Sequence, residues 1–352
     1  MIYFIVTIWA IITGFGQIMY PRDPRRPSNP TIPLIKVSSS NLAAEKTWAS
    51  THSNYNPDST HYEFCNSFLR LKPIKEGFNQ TFFQENYLPS GVITFRNQQG
   101  IVSSNILSDL ANEVIEEIKV GQRHFTHFKK LKDKDFNYKT LSGLIILKYK
   151  NYPFVIKISI EHPYTLTQPF SRSYEATGIF VIGGNLRHLS NFTRITNLNK
   201  IRKILSYHPF YRQNLDFPRK WYWKPDKCYD LRIDWCCNGI CDTISIPSIY
   251  ATISDFIETE AQQPQNELNK LSMKVAIDVG FLIDPHAGNI VIEKNTRKYI
   301  LLDTEDFRLM TGLNKSMKAR KYIGWYIELI SNALKTSLLR TKQERIEQSM
   351  LV

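Results

Sequence analysis

Apolar residues recur along this chain with two different periods, and the switches between those periods mark its elements. From Ser104 to Ile118 they fall at Ile106, Leu110, Val114 and Ile118, a helical spacing with Ser or Asn at hand as cap. Leu144–Tyr149 and Phe154–Ile158 are aliphatic and aromatic runs joined by Lys-Asn-Tyr-Pro, which predicts a hairpin. A helix is expected over 197–206, following a Gly183-Gly184 turn. Ile244–Glu258 reads as a strand that runs into a linking segment. Asn266–Val279 reads as a helix with Leu268, Leu271, Val275 and Val279 on one face. Ile290–Ile292 and Tyr299–Leu302, separated by six polar residues, predict a second hairpin whose return strand feeds directly into Asp303. Residues 319–347 have helical composition.

Ahead of these elements the pattern changes. Residues 2–20 are almost continuously apolar and long enough for a secretory signal or a short membrane anchor, and Arg22, Arg25 and Arg26 follow closely. Pro21, Pro24, Pro27, Pro30 and Pro33 then recur at every third residue, the repeat of a polyproline II helix. The expected organisation is therefore a signal peptide or anchor at 1–20, a Pro-rich and polar linker at 21–62, and folded segments at 63–257 and 258–352. Export or secretion is expected, with membrane anchoring as the alternative. Membrane contact is expected only through residues 2–20.

The composition, 42% hydrophobic and 22% charged over 352 residues, is that of a globular chain with a sizeable core. A formal net charge of +13 favours anionic partners such as a nucleotide, while no nucleic-acid-binding motif is evident. Four of the five cysteines lie between 228 and 241, around Asn238-Gly239, the strongest two-residue hairpin signal. That turn sets Cys236 opposite Cys241 and Cys237 opposite Ile240. A disulfide across Cys236 and Cys241 suits an exported protein; free thiols are the other reading. The spacing matches no common zinc ribbon or finger.

The candidate chemistry gathers between 284 and 306. A polar turn, Asp284-Pro-His-Ala-Gly-Asn289, opens the second hairpin, and an acidic turn, Asp303-Thr-Glu-Asp306, closes it. Three oxygen-bearing side chains, those of Asp284, Asn289 and Asp303, are thereby brought to one end of a small sheet. Hard oxygen ligands of this kind suit Mg²⁺, which shares its shell with phosphates. Lys157 stands alone among apolar neighbours in Phe-Val-Ile-Lys-Ile-Ser.

These two turns and the strands between them resemble the protein-kinase-like superfamily. They are similar to the D-x-H-x-x-N and later I-D-x-x-D of aminoglycoside and choline phosphotransferases, and to the D-P-H-x-G-N of ubiquinone-associated atypical kinases. The resemblance implies an α+β, two-lobed fold with a small C-terminal lobe. It also implies ATP and Mg²⁺ as cofactors, with Asp284 as base or orienter, assisted by Asn289. Asn289 and Asp303 would hold the metal, Lys157 would hold phosphates, and Glu175 would pair with Lys157. Backbone groups around Ser254–Ile257 would meet adenine. The chain departs from the pattern at Leu282 and Ile283, where a His is usual, and in the absence of a G-x-G-x-x-G before Leu144. The implied function is ATP-dependent phosphoryl transfer to a hydroxyl acceptor. The alternative is a catalytically inactive kinase-like interaction module with a protein partner.

Overall fold

The computed structural model describes residues 35–37, 61–64, 79–138, 141–160, 187–228, 230–237, 240–260 and 262–306, with positions 321, 323–325, 327, 328 and 331. These residues form a mixed α/β protein with several sheets. Residues 2–20, the proline repeat, Gly183-Gly184 and Glu175 lie outside them. Among the described residues no helix is long and apolar enough to cross a membrane.

The largest sheet is antiparallel. Its strands are β5 (Phe128–Asn137), β6 (Ser142–Tyr149), β7 (Phe154–Ile160), β9 (Lys220–Trp223) and β12 (Ile249–Asp255), in the order β5-β6-β7-β12-β9. Side chains alternate across a strand, and directly paired residues share a face. One face therefore carries Ile145, Leu147, Ile156, Ile158, Ala251, Ile253 and Trp223. The short helix α1 (Gln80–Glu85) packs Phe83 on the other face, its ring stacked at 4.8 Å between centroids on Tyr222, the residue paired with Thr252. Helix α2 (Ser104–Lys119) covers the apolar face, burying Leu107, Ala111, Val114, Ile115 and Ile118. Tyr149 Oη donates to Leu107 O at 3.1 Å, and Trp223 Nε1 to Ser108 Oγ at 2.9 Å, so helix and sheet are also pinned by hydrogen bonds.

Helix α2 appears where its period predicts, with Ser103 as N-cap, but its buried face is displaced from the expected one. Ile106 is 41% exposed. A row of strict four-residue steps drifts around an α-helix with 3.6 residues per turn, whereas a row alternating three and four stays on one side. The buried arc obeys the second rule.

The opposite face of the same sheet carries Lys157, Ser159, Thr252, Ser254 and Lys220. Helix α3 (Arg187–Leu205) lies against it, with Phe192 stacked on Tyr250 at 3.9 Å between ring centroids. This helix starts ten residues before the predicted 197, and its first half buries polar residues beside the apolar Phe192 and Ile195. Asn191, Thr193, Arg194 and Asn197 are polar and buried.

Further along, α3 enters a second core through Leu198, Ile201 and Leu205. That core also takes Tyr211 of α4 (Pro209–Asn214), helix α5 (Gln265–Asp278), and the hairpin β13 (Ile290–Ile292) and β14 (Tyr299–Leu301). Residues 198–217, expected to pack with the preceding segment, thus pack with residues beyond 258. Strand β8 (Leu215–Asp216) pairs in parallel with β14. A loop between β3 (Val92–Thr94) and β4 (Ile101–Ser103) sends Arg96 across to Asp216 at 2.6 Å, Glu293 at 3.1 Å and Phe217 O at 3.0 Å.

The run predicted as one strand over 244–258 is two. β11 (Ile240–Pro247) ends at a proline, which supplies no N–H to a ladder, and β12 begins after Ser248. β10 (Asp230–Cys237) and β11 pair in the expected register, Cys236 opposite Cys241 and Cys237 opposite Ile240. Strands β1 (Ile35–Val37) and β2 (His61–Phe64) extend this pair into a sheet of order β1-β2-β10-β11. The side chains of Cys236, Cys237 and Cys241 lie outside the described residues. Cys228 Sγ lies 3.5 Å from Ser248 Oγ.

Candidate functional site

The predicted hairpin forms, and its two ends come together. Asp284 Oδ1 accepts from His286 N at 3.1 Å, the short-range bond by which an Asx side chain shapes a turn. His286 Nδ1 accepts from Gly288 N at 3.0 Å, and Asn289 N donates to His286 O at 3.0 Å, closing one turn of 3-10 helix, Ala287–Asn289. Ser272 of α5 donates to His286 O at 3.1 Å and fastens the turn to the second core. Leu302 N donates to Asn289 O at 2.7 Å, which sets the residue before Asp303 beside the polar turn. Asp284, Asn289 and Asp303 therefore share one end of the hairpin.

Lys157 is brought to the same place from the central strand β7. Its Nζ lies 3.3 Å from Asp303 Oδ2, a contact between residues 146 apart in sequence. The other carboxylate oxygen, Oδ1, is in contact with Arg194 of α3. Arg194 also bonds Glu305, while Asn191 Oδ1 accepts from its Nε at 3.2 Å and its Nη2 at 2.9 Å. Asn191 in turn donates to Ser159 Oγ at 2.8 Å, fixing helix to sheet. Lys220 of β9 reaches Leu302 O and Thr304 Oγ1, each at 2.9 Å. Asn197 Nδ2 bridges Leu282 O and Thr304 O, linking the start of the polar turn to the acidic turn.

Three cationic side chains thus surround one partly exposed carboxylate. Burial alone would raise the Asp303 carboxyl, but the charges of Arg194, Lys157 and Lys220 outweigh it and hold the group well below the usual carboxylate range. Burial, reinforced by the charge of Arg194, lowers the Lys157 ammonium in spite of Asp303 and Glu305. Burial and the nearby Lys157 push Lys220 further down. Burial also works against the Arg194 guanidinium, but Asp303 and Glu305 raise it. Asp303 is an anion here.

Mg²⁺ fits this set in part. Asn289 Nδ2 donates to Asp284 O at 3.1 Å, which commits its amide end and leaves a carbonyl oxygen suited to a hard cation. Asp303 does not fit as arranged. Both of its oxygens face cations, and a dication placed there would sit against Lys157 and Arg194. Among the described residues no group of three or more His, Cys, Asp or Glu is arranged to hold a metal ion.

Of the segment expected to meet adenine, two amide donors are already used. Asp255 N bonds Arg219 O at 3.2 Å, and Phe256 N bonds Pro153 O at 2.8 Å. Arg194, Asn191 and Lys220 are site residues that the sequence pattern does not single out. The one signal available is the group of polar residues Asn191, Thr193, Arg194, Thr196 and Asn197, interleaved with Phe192 and Ile195, inside a segment long enough to be helical. Comparison with protein-family models, curated proteins and solved structures finds no match to this chain.

Proposed function

We propose that this chain is an ATP-dependent phosphotransferase of protein-kinase-like architecture, passing a phosphoryl group to a hydroxyl acceptor. The observation that carries the reading is the contact of Lys157 with Asp303, made where the hairpin opened by Asp284–Asn289 comes to its end. Element order supports it: an antiparallel sheet with Lys157 on its middle strand, a connecting segment, helix α5, the polar turn, the hairpin and the acidic turn. In this reading the two cores are the two lobes. Lys157 grips phosphate oxygens, and Asp284, half-buried at the mouth of its turn, orients the attacking hydroxyl and receives its proton. No step passes through a metal, because Asp303 is neutralised by its cations.

One observation favours a second reading, an inactive kinase-like interaction module: Arg194 occupies the carboxylate that the resemblance reserves for metal. Both readings place the chain outside the cell or on a membrane through residues 2–20, and N-terminal sequencing of the protein recovered from cells tests that.

The deciding experiment measures thermal stability of the full chain with ATP, then ADP formation with hydroxyl acceptors. ATP at about a hundred times its dissociation constant stabilises the native state by roughly 2.7 kcal/mol. Asp284→Ala is expected to keep that stabilisation and lose turnover by at least about 100-fold. Stabilisation without any turnover in the wild type selects the interaction module. An absence of stabilisation rejects the nucleotide reading.

A further inference from the structure

Arg194 is held from behind. Its Nε and Nη2 are committed to Asn191 and Glu305, the latter only 3% exposed, so the guanidinium keeps its place whether or not Asp303 is present. Its remaining edge, Nη1, points at Asp303. Lys157 approaches the same carboxylate from a strand paired on both sides. The exposure of the side chains rises outward, from 3% for Arg194 through 16% for Lys157 to 26% for Asp303. The carboxylate therefore lies on the solvent side of a fixed fork and a fixed ammonium. A phosphate group presents the same features to these donors: negative charge and oxygens in the spacing a guanidinium and an ammonium can share.

We propose that the site holds the polyphosphate of its nucleotide directly through Lys157 and Arg194, with Asp303 as an internal stand-in for a phosphate and not as a metal ligand. The proposal rests on the reading of the site as a nucleotide site. When the polyphosphate arrives, Asp303 gives up its place on both cations and turns toward solvent. Arg194 and Lys157 do not have to move. Neutralisation that a divalent cation would supply comes from side chains already in place, so binding does not depend on added metal.

Asp303→Asn separates this from a metal site, because the two predict opposite signs. Removing a metal ligand weakens nucleotide binding. Removing an internal competitor frees two cations and strengthens it. The full chain, wild type and Asp303→Asn, is titrated with ATP in excess EDTA and in MgCl₂, with heat of binding as readout. Wild type is expected to bind ATP in EDTA within about threefold of its affinity in MgCl₂. Asp303→Asn in EDTA is expected to bind at least about tenfold more tightly than wild type. ATP binding that requires MgCl₂ and weakens in Asp303→Asn overturns the proposal and leaves the nucleotide reading standing. Binding in neither condition removes the nucleotide reading and the proposal with it. Should Asp303→Asn fail to fold, the wild-type comparison of EDTA with MgCl₂ decides alone.

Discussion

Replacing Arg194 with Met keeps most of the side-chain volume in α3 and deletes the charge. What remains is Glu305, 3% exposed and stripped of its guanidinium, and Asp303, which retains Lys157 at 3.3 Å and about a quarter of its surface in solvent. Breaking a buried ion pair from one side typically costs about 3–5 kcal/mol, chiefly through the charge left behind. Asp303 adds little to this because water and Lys157 still serve it, so the expected loss is about 3 kcal/mol and belongs mainly to Glu305. At roughly 2–4 °C per kcal/mol for a chain of this size, Tm should fall by about 6–12 °C. The assay is urea unfolding of the full chain for wild type, Arg194→Met, Glu305→Gln and the double variant. Because Glu305→Gln removes the charge that Arg194 faces, the double variant should be less destabilised than the sum of the singles, with a coupling of about 1–3 kcal/mol. A single-variant cost below about 1 kcal/mol, or strict additivity, would refute the view that Arg194 is the hub of this cluster.

Arg96→Ala leaves Glu293 buried and frees Asp216 and Phe217 O, and should cost about 2–3 kcal/mol by urea unfolding; a change under about 0.5 kcal/mol would show the Arg96 bridge to be idle. The same bridge predicts an acid response. Burial raises the Glu293 carboxyl, but the hydrogen bonds from Arg96, Thr296 and Asn97 and the Arg96 charge together outweigh it and hold the group below its ordinary 4.5. The unfolded chain therefore binds this proton first. The contribution is complete above about pH 4.5 and is lost as pH falls through the lower folded value. Glu293→Gln should flatten stability against pH in that window, and an unchanged slope would contradict the assignment. A Cβ on Gly288 would come within 3.0 Å of the His286 ring. Gly288→Ala should push that exposed ring aside, breaking the Gly288 N to Nδ1 bond at a cost of about 0.5–1.5 kcal/mol; wild-type stability would mean the turn yields without strain.

Local patterns made much of the scaffold legible. The helix after Ser103, the hairpin on either side of Pro153, the helix before Gly280 and the pairing of Ile290–Ile292 with Tyr299–Leu301 are all visible in the chain, because period and turn chemistry act over a few residues. The register that sets Cys236 against Cys241 comes from a two-residue turn for the same reason. The first half of α3 is not legible. A helix is recognised by the separation of an apolar from a polar side, and here Phe192 and Ile195 are buried together with Asn191, Thr193, Arg194 and Asn197, so no such separation shows. The break at Pro247 is readable in principle, but the apolar residues on either side continue without a change of period and mask it.

For the site, the sequence alone determined that Asp284, Asn289 and Asp303 would meet, since a hairpin joins them and its turn residues are local. It also determined that Lys157 would stand on a strand among apolar neighbours. Only the tertiary structure decided what Asp303 faces. Arg194 and Lys220 reach the acidic turn from a helix and a strand distant in sequence, and Glu305 completes the set. Coulomb interactions depend on separation in space and on burial, neither of which leaves a trace in the order of residues, so a carboxylate that reads as a metal ligand in the chain becomes, once folded, the partner of two cations.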